Sequence, residues 1–159
     1  MTELELFQEL EKVTHYDPVK KIVKWAVPGR GRTVGREVGT DCLGYRVAQF
    51  KGVFIRVHRF IWWLDNGVVP DIVDHINHVT DDNTKIRNCT QQQNMFNRRM
   101  SKNNKVGYKG VVYHQGKYRA VIRKDGKQIH IGSYDTPLEA SNAYYAKAVE
   151  LFGEFACRG

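Results

Sequence analysis

At 159 residues the chain can hold one ordinary domain or two small ones, and 42% hydrophobic with 26% charged side chains excludes a disordered or fibrous chain. Lys and Arg number 25 against 17 Asp and Glu, a net charge of +8. Three scattered cysteines without C-x-x-C spacing exclude a disulfide framework and a zinc knuckle, and no apolar run approaches the roughly 20 residues that cross a bilayer. The positive charge is uneven. Residues 1–97 carry 13 basic and 12 acidic side chains, whereas residues 98–130 carry ten basic ones and only Asp125. Residues 131–159 return to two basic and four acidic. A solubilising face mixes both signs, so this concentration is the footprint of a polyanionic partner, nucleic acid or an acidic membrane surface.

In chain order, Leu4, Phe7, Leu10 and Val13 recur at helical spacing and predict a short amphipathic helix over 3–14. The opening "MTELELFQELEKV" is acidic, unlike a secretory leader, and with the cysteine usage it predicts a cytoplasmic protein. A turn at Asp17-Pro18 leads to a brief strand around 22–26. "GRGRTVG" fits neither phosphate-loop pattern and reads as a basic loop. "GYRVAQF-KG-VFIRVHRF" predicts a hairpin turning at Lys51-Gly52, and "RFIWWLDNG" a buried helix ending at Gly67. After a polar stretch at 73–99, "MSKNNKVG" reads as a linker. "YKGVVYH", "KYRAVIR" and "KQIHIGSY" then predict three alternating strands joined at Gln115-Gly116 and Asp125-Gly126. The last element, "TPLEASNAYYAKAVELFG", is a helix with Thr136 as N-cap, Pro137 first inside and Gly153 just past the end.

The 73–99 stretch, "VDHINHVTDDNTKIRNCTQQQNMFNRR", carries the chemistry. Phosphodiester hydrolysis needs a base for water and a cation against developing charge. His75 is mostly neutral at pH 7 and suits the base; Asp74 offers a hard oxygen to Mg²⁺ or a similar ion. Adjacent residues of an extended segment point in opposite directions, so the two can act from different sides. Thr90 and Gln93 fit a capping box that starts a helix, placing Asn94, Asn97 and Arg98 on one face. An acid–histidine pair alone is equally a hydrogen-bonded turn. His58 at a strand-to-helix junction reads as a supporting group, and His15, His114 and His130 show no metal spacing with one another.

The full constellation resembles the HNH endonucleases, the ββα-metal nuclease family common in bacteriophages. "ELEKVTHYDP" and "KWAVPGRGRTVGREVGT" are similar to that family's N-terminal module. "GYRVAQFKGVFIRVHRFIWWLDNGVVPDIVDHINHVTDDN" is similar to its core, and "NCTQQQNMFNRR" to its closing helix. The resemblance implies His75 as general base, Asp74 as metal ligand and Asn94 as second ligand, with Asn97 and Arg98 supporting the site or contacting phosphate. The sequence departs from the family pattern at Lys85, which falls where the family's middle, mainly structural asparagine belongs, and at His78-Val79, where Gly-Asp is usual. Asn83 or Asn88 is then the substitute brace.

Residues 107–157 resemble an AP2-type DNA-binding domain, carried by "GYKGV", "YRAVI", "HIGSYDTPLEA" and "AYYAKA". The resemblance implies three antiparallel strands packed on one helix, the sheet laid in the DNA major groove. The alternation turns Ala120, Ile122, Ile129 and Ile131 inward and Arg119, Val121, Arg123, Gln128 and His130 outward. Arg119 and Arg123 then suit guanine edges or phosphates, and Lys109, Lys117, Lys124 and Lys127 suit phosphates.

The reading is therefore an α+β chain with three parts: an HNH (His-Me finger) domain over 1–99, a linker over 100–106, and an AP2-type domain over 107–157. It predicts a metal-dependent endonuclease of phage homing type, using Mg²⁺ or another divalent ion such as Mn²⁺ on double-stranded DNA. It predicts no membrane and no small-molecule cofactor, a monomer or weak dimer, and, for a phage-encoded protein, the cytoplasm of the infected bacterium. The competing reading is a non-catalytic DNA-binding regulator with a decayed nuclease core, which Lys85 favours; RNA binding is a third.

Overall fold

In the computed structural model, which describes residues 1–80 and 82–159, Thr2 opens helix α1 (Glu3–Glu11) with a reciprocal capping box to Glu5. The helix buries Leu6, Phe7 and Leu10; Phe7 and Leu10 follow the expected spacing, whereas Leu4 is exposed and Leu6 takes a buried place. Strands β1 (Thr14–Asp17) and β2 (Ile22–Trp25) form a hairpin. β3 (Thr40–Cys42), β4 (Tyr45–Phe50) and β5 (Val53–Arg56) form an antiparallel sheet in that order. The β4–β5 turn is Lys51–Gly52, both at positive φ (49° and 82°), the mirror-type turn whose twist matches a hairpin. Helix α2 (Val57–Asn66) follows β5 directly and stops at Gly67, which takes a left-handed φ of 70°.

These elements share one core. Phe7 of α1 packs against Phe60 and Trp63 of α2 at ring separations of 5.4 and 5.8 Å. Val23, Trp25, Val38, Ala48, Phe50 and Ile55 complete the cluster. Each fully buried side chain of this size contributes about 1.5–3 kcal/mol relative to exposure. Arg59 ties the ends together. Its guanidinium holds both oxygens of Glu3 at 2.8 Å and donates to the carbonyls of Pro70 and Asp71. That fixes the chain where it enters β6 (Ile72–His75), which pairs antiparallel with β7 (Ile86–Cys89) across a loop containing a 3-10 turn at Asn83–Lys85. β1 and β3 have no counterpart among the elements expected from the sequence; both are short and pair with neighbours rather than showing strong alternation.

Contacts divide the chain into Met1–Thr90 and Gln91–Gly159. The second unit comprises α3 (Gln91–Asn97), β8 (Val111–His114), β9 (Lys117–Lys124), β10 (Lys127–Tyr134) and α4 (Pro137–Phe152), closed by a 3-10 turn. The sheet order is β10-β9-β8, and both connecting turns, Gln115–Gly116 and Asp125–Gly126, are at positive φ. Thr136 and Glu139 form the capping box of α4, with Pro137 inside it. Val111, Ala120 and Ile122 meet Ala140, Tyr144 and Ala148 in the core. Gly110 (φ +69°) passes so close under the helix that a Cβ there would stand 2.1 Å from the Tyr144 ring. Among the described residues no helix is long and apolar enough to cross a membrane.

The boundary by compactness thus falls nine residues before the one read from the sequence. Phe96 of α3 stacks on Phe152 of α4 at 3.5 Å, and the Lys109 ammonium donates to the carbonyls of Phe96 and Arg98. The stretch read as a linker is a built turn: Asn104 accepts from the amides of Val106 and Gly107 and donates to the Tyr108 carbonyl.

Candidate active site

The β6–β7 register places Asp74 opposite Arg87 and His75 opposite Ile86. Successive strand residues point to opposite faces, and here both faces are covered, since Asp74 is 7% and His75 5% exposed. A buried carboxylate needs a partner. Arg87, itself buried, donates from Nε at 3.1 Å and Nη2 at 3.0 Å to Asp74 Oδ2. The loop joining the strands is tied by Asn77, which donates to Asp82 at 2.7 Å, and by Asp82, which caps the turn at Thr84. Asp81, within this loop, lies outside the described residues. His78 holds a left-handed φ of 58° where the resembled family usually has glycine, a conformation histidine adopts more readily than most side chains.

His75 is oriented from three sides. Asn83 Oδ1 faces its Nε2 at 3.5 Å. His58, the second residue of α2, meets its ring nearly edge-on at 5.2 Å, and Tyr45 at the start of β4 lies 6.1 Å away. Burial, then the charges of His75, Arg56 and Arg59, push the His58 pKa down to about 3, so that imidazole stays neutral. A proton on Nε2 would be shared with this oxygen and would leave the basic lone pair on Nδ1. Of the two asparagines expected as braces, Asn83 is the one that lies beside His75. Asn88 instead accepts from the Asp71 amide at 3.1 Å and fixes the entry of β6. Lys85 is exposed, and its carbonyl accepts from the Ile76 amide at 2.8 Å.

The donor chemistry fits a hard cation better than a structural zinc ion. Among the described residues no three His, Cys, Asp or Glu side chains converge as a metal cage. An ion that keeps most of its waters needs only one or two carboxylates, a requirement Asp74 can meet; zinc would want four nitrogen or sulfur ligands. Asn94 lies on α3, in the second unit. Asn97 is the buried last residue of that helix, and Arg98 falls just beyond its end, not on its face.

In the second unit the inward and outward alternation holds. Ala120 and Ile122 are buried, Ile129 and Ile131 pack on the core, and Arg123, Gln128 and His130 are exposed, while Arg119 and Val121 of the outward set are half-buried. Arg119 pairs across the ladder with Val112 and Ser133, and Arg123 with Gln128. Lys124 is half-buried and Lys127 exposed. Lys117 is paired with Asp135 on the exposed surface. Lys109 departs from the phosphate-contact expectation, because its half-buried ammonium is taken up by the two carbonyls at the end of α3. Arg87 and Tyr45 were missed by sequence reasoning. Their approach to Asp74 and His75 depends on strand register across a ten-residue loop and on packing of the β4–β5 hairpin, which no local pattern encodes.

No protein-family model matches the chain, and no solved structure matches it. The chain is 39% identical over 118 residues, 71% of its length, to a protein of Acanthamoeba polyphaga mimivirus named as an uncharacterized HNH endonuclease. It spans 61% of that relative's length, so the two are alike over most of this chain and part of the other.

Proposed function

We propose that the chain is an HNH-type endonuclease that hydrolyses phosphodiester bonds in duplex DNA with a divalent cation, and that the β8–β10 sheet supplies an AP2-like DNA-targeting surface. The observation that carries this reading is the pairing on β6: a carboxylate held by Arg87 beside a histidine held by Asn83, His58 and Tyr45. The viral relative's name supports the same class.

His75 takes the proton of a water molecule on its lone-pair nitrogen as the water oxygen bonds to phosphorus and the bond to the sugar oxygen breaks. Neutral His58 and Asn83 keep the imidazole in one tautomer and one orientation. Asp74, aligned by Arg87, and Asn94, by its place in the family motif, are the proposed oxygen ligands. The cation, when bound, neutralises charge on the phosphoryl and leaving oxygens. One such site cuts one strand, so a monomer nicks. Outside the nuclease unit, Arg119 and Arg123 on β9 are the proposed contacts to guanine edges or phosphates, with Lys117, Lys124 and Lys127 on phosphate. A homing role and Mg²⁺ as the ion are proposals of the same reading.

Incubating supercoiled plasmid with the protein in Mg²⁺ or in EDTA tests this. Nicking in Mg²⁺ alone supports it. Tight duplex binding with no nicking under Mg²⁺ or Mn²⁺ would support the non-catalytic regulator instead.

A further inference from the structure

We propose that Arg56, carried on the face of Tyr45, is the cation that receives the phosphate of the bond cleaved beside His75; this rests on the nuclease reading. Arg56 ends β5 and pairs with Val47 of β4. Tyr45 lies two residues before Val47 on the same face, a diagonal that long side chains span. The guanidinium carbon stands over the Tyr45 ring, 5.5 Å from its centre. That ring in turn lies 5.5 Å from His58 and 6.1 Å from His75. One continuous run of tilted ring contacts therefore joins an exposed arginine to the proposed general base.

Arg56 differs from the other arginines of its unit that lie near the site or its sheet. Arg59 is clamped by Glu3, Arg46 is paired with Glu37 and Arg87 with Asp74. Among the described residues no carboxylate pairs with Arg56, and its side chain is exposed at the strand end. Stacking on an aromatic face fixes the plane of a guanidinium while leaving its N–H edges free to donate, the geometry that takes two phosphate oxygens at once. Its charge is also near enough to help hold His58 neutral. A phosphate bound there would lie next to Tyr45, the ring that also neighbours His75, and the cation would act more strongly as negative charge builds in the transition state. Tyr45 is then a positioning residue for both the arginine and the imidazole.

The test uses the full chain. The wild-type cut position is first mapped on a duplex that is nicked. Binding is then measured in EDTA, by fluorescence anisotropy, to that duplex with a normal phosphate or a neutral methylphosphonate at the cut. Wild type should lose about 3- to 10-fold in affinity for the neutral analogue, and Arg56→Gln should show no such loss, because the charge partner is gone. Single-turnover nicking should fall roughly 10-fold or more in Arg56→Gln and recover in part in Arg56→Lys. Tyr45→Phe should behave as wild type and Tyr45→Ala should slow nicking, with circular dichroism and melting showing every variant folded. Arg56→Gln nicking at the wild-type rate, or keeping the full sensitivity to methylphosphonate, overturns the inference while leaving the nuclease reading standing. A wild-type protein that never nicks overturns both.

Discussion

Asn83 Oδ1 stands 3.5 Å from His75 Nε2, eight residues away along the chain and across the β6–β7 loop. If His75 is the proposed general base, a side-chain oxygen there would favour one imidazole tautomer and brace the ring. His75→Ala should lower cleavage by roughly 10²-fold or more, with duplex affinity nearly unchanged. Asn83→Ala should cost less and should also move the acid limb of the pH–rate profile, since the tautomer is no longer fixed. A profile that keeps its shape while only the rate falls would assign Asn83 to folding rather than orientation.

The Asp74–Arg87 pair gives a second expectation. Its side chains are 8% and 11% exposed, so removing the arginine leaves a carboxylate buried without its main counter-charge. Arg87→Met should destabilise by about 3–5 kcal/mol, the usual result of breaking a buried pair from one side. Asp74→Asn should fold better than Arg87→Met but need far more divalent ion for nicking. Asn94→Ala should raise the ion requirement by less, because an amide oxygen carries no full charge. Urea unfolding and a Mg²⁺ titration of nicking separate these outcomes; an unshifted Asn94→Ala titration removes that residue from the ligand set.

His58 makes stability depend on pH in a defined direction. Burial holds its folded-state pKa near 3, below the value of about 6.5 in an unfolded chain. Protonation therefore favours the unfolded state. The stabilisation from keeping His58 neutral is complete above about pH 6.5, declines as pH falls, and is lost by pH 3. At pH 5 the loss is about 2 kcal/mol. Denaturation midpoints at pH 7 and pH 5 should drop more for wild type than for His58→Asn. Equal drops in the two proteins would locate the acid sensitivity elsewhere.

A duplex-binding fragment should begin at Gln91, not at the apparent linker, because Phe96 stacks on Phe152 and Lys109 holds the end of α3. Gln91–Gly159 should fold, whereas a fragment starting at residue 105 should melt at lower temperature. With Lys109 committed internally, four or five phosphate contacts from Lys117, Arg119, Arg123, Lys124 and Lys127 predict a log–log salt slope of about −4. Anisotropy across a salt series on the longer fragment measures it. A folded fragment without duplex affinity rejects the targeting role.

The sequence by itself determined the local structure wherever one residue type dictates one backbone state. The N-cap at Thr136, the mirror turns at Lys51-Gly52, Gln115-Gly116 and Asp125-Gly126, and the stop at Gly67 all sit where pattern places them. So does the inward alternation of β9 and β10, since period-2 burial is written directly in residue order. Asp74 and His75 were legible as a pair because they are adjacent. What surrounds them was legible only in part: His58 and Asn83 were named as supporting candidates, Arg87 and Tyr45 were not, and no local pattern gave any of their positions. Arg87 reaches Asp74 through strand register, Asn83 reaches His75 through the fold of a loop, and Tyr45 and His58 arrive from a hairpin and a helix far off in sequence. Loop closure and core packing decide those approaches, and both depend on contacts between distant segments rather than on any residue's neighbours. The same physics set the boundary before α3, where one aromatic stack and one half-buried lysine outweigh a polar stretch that reads as a linker.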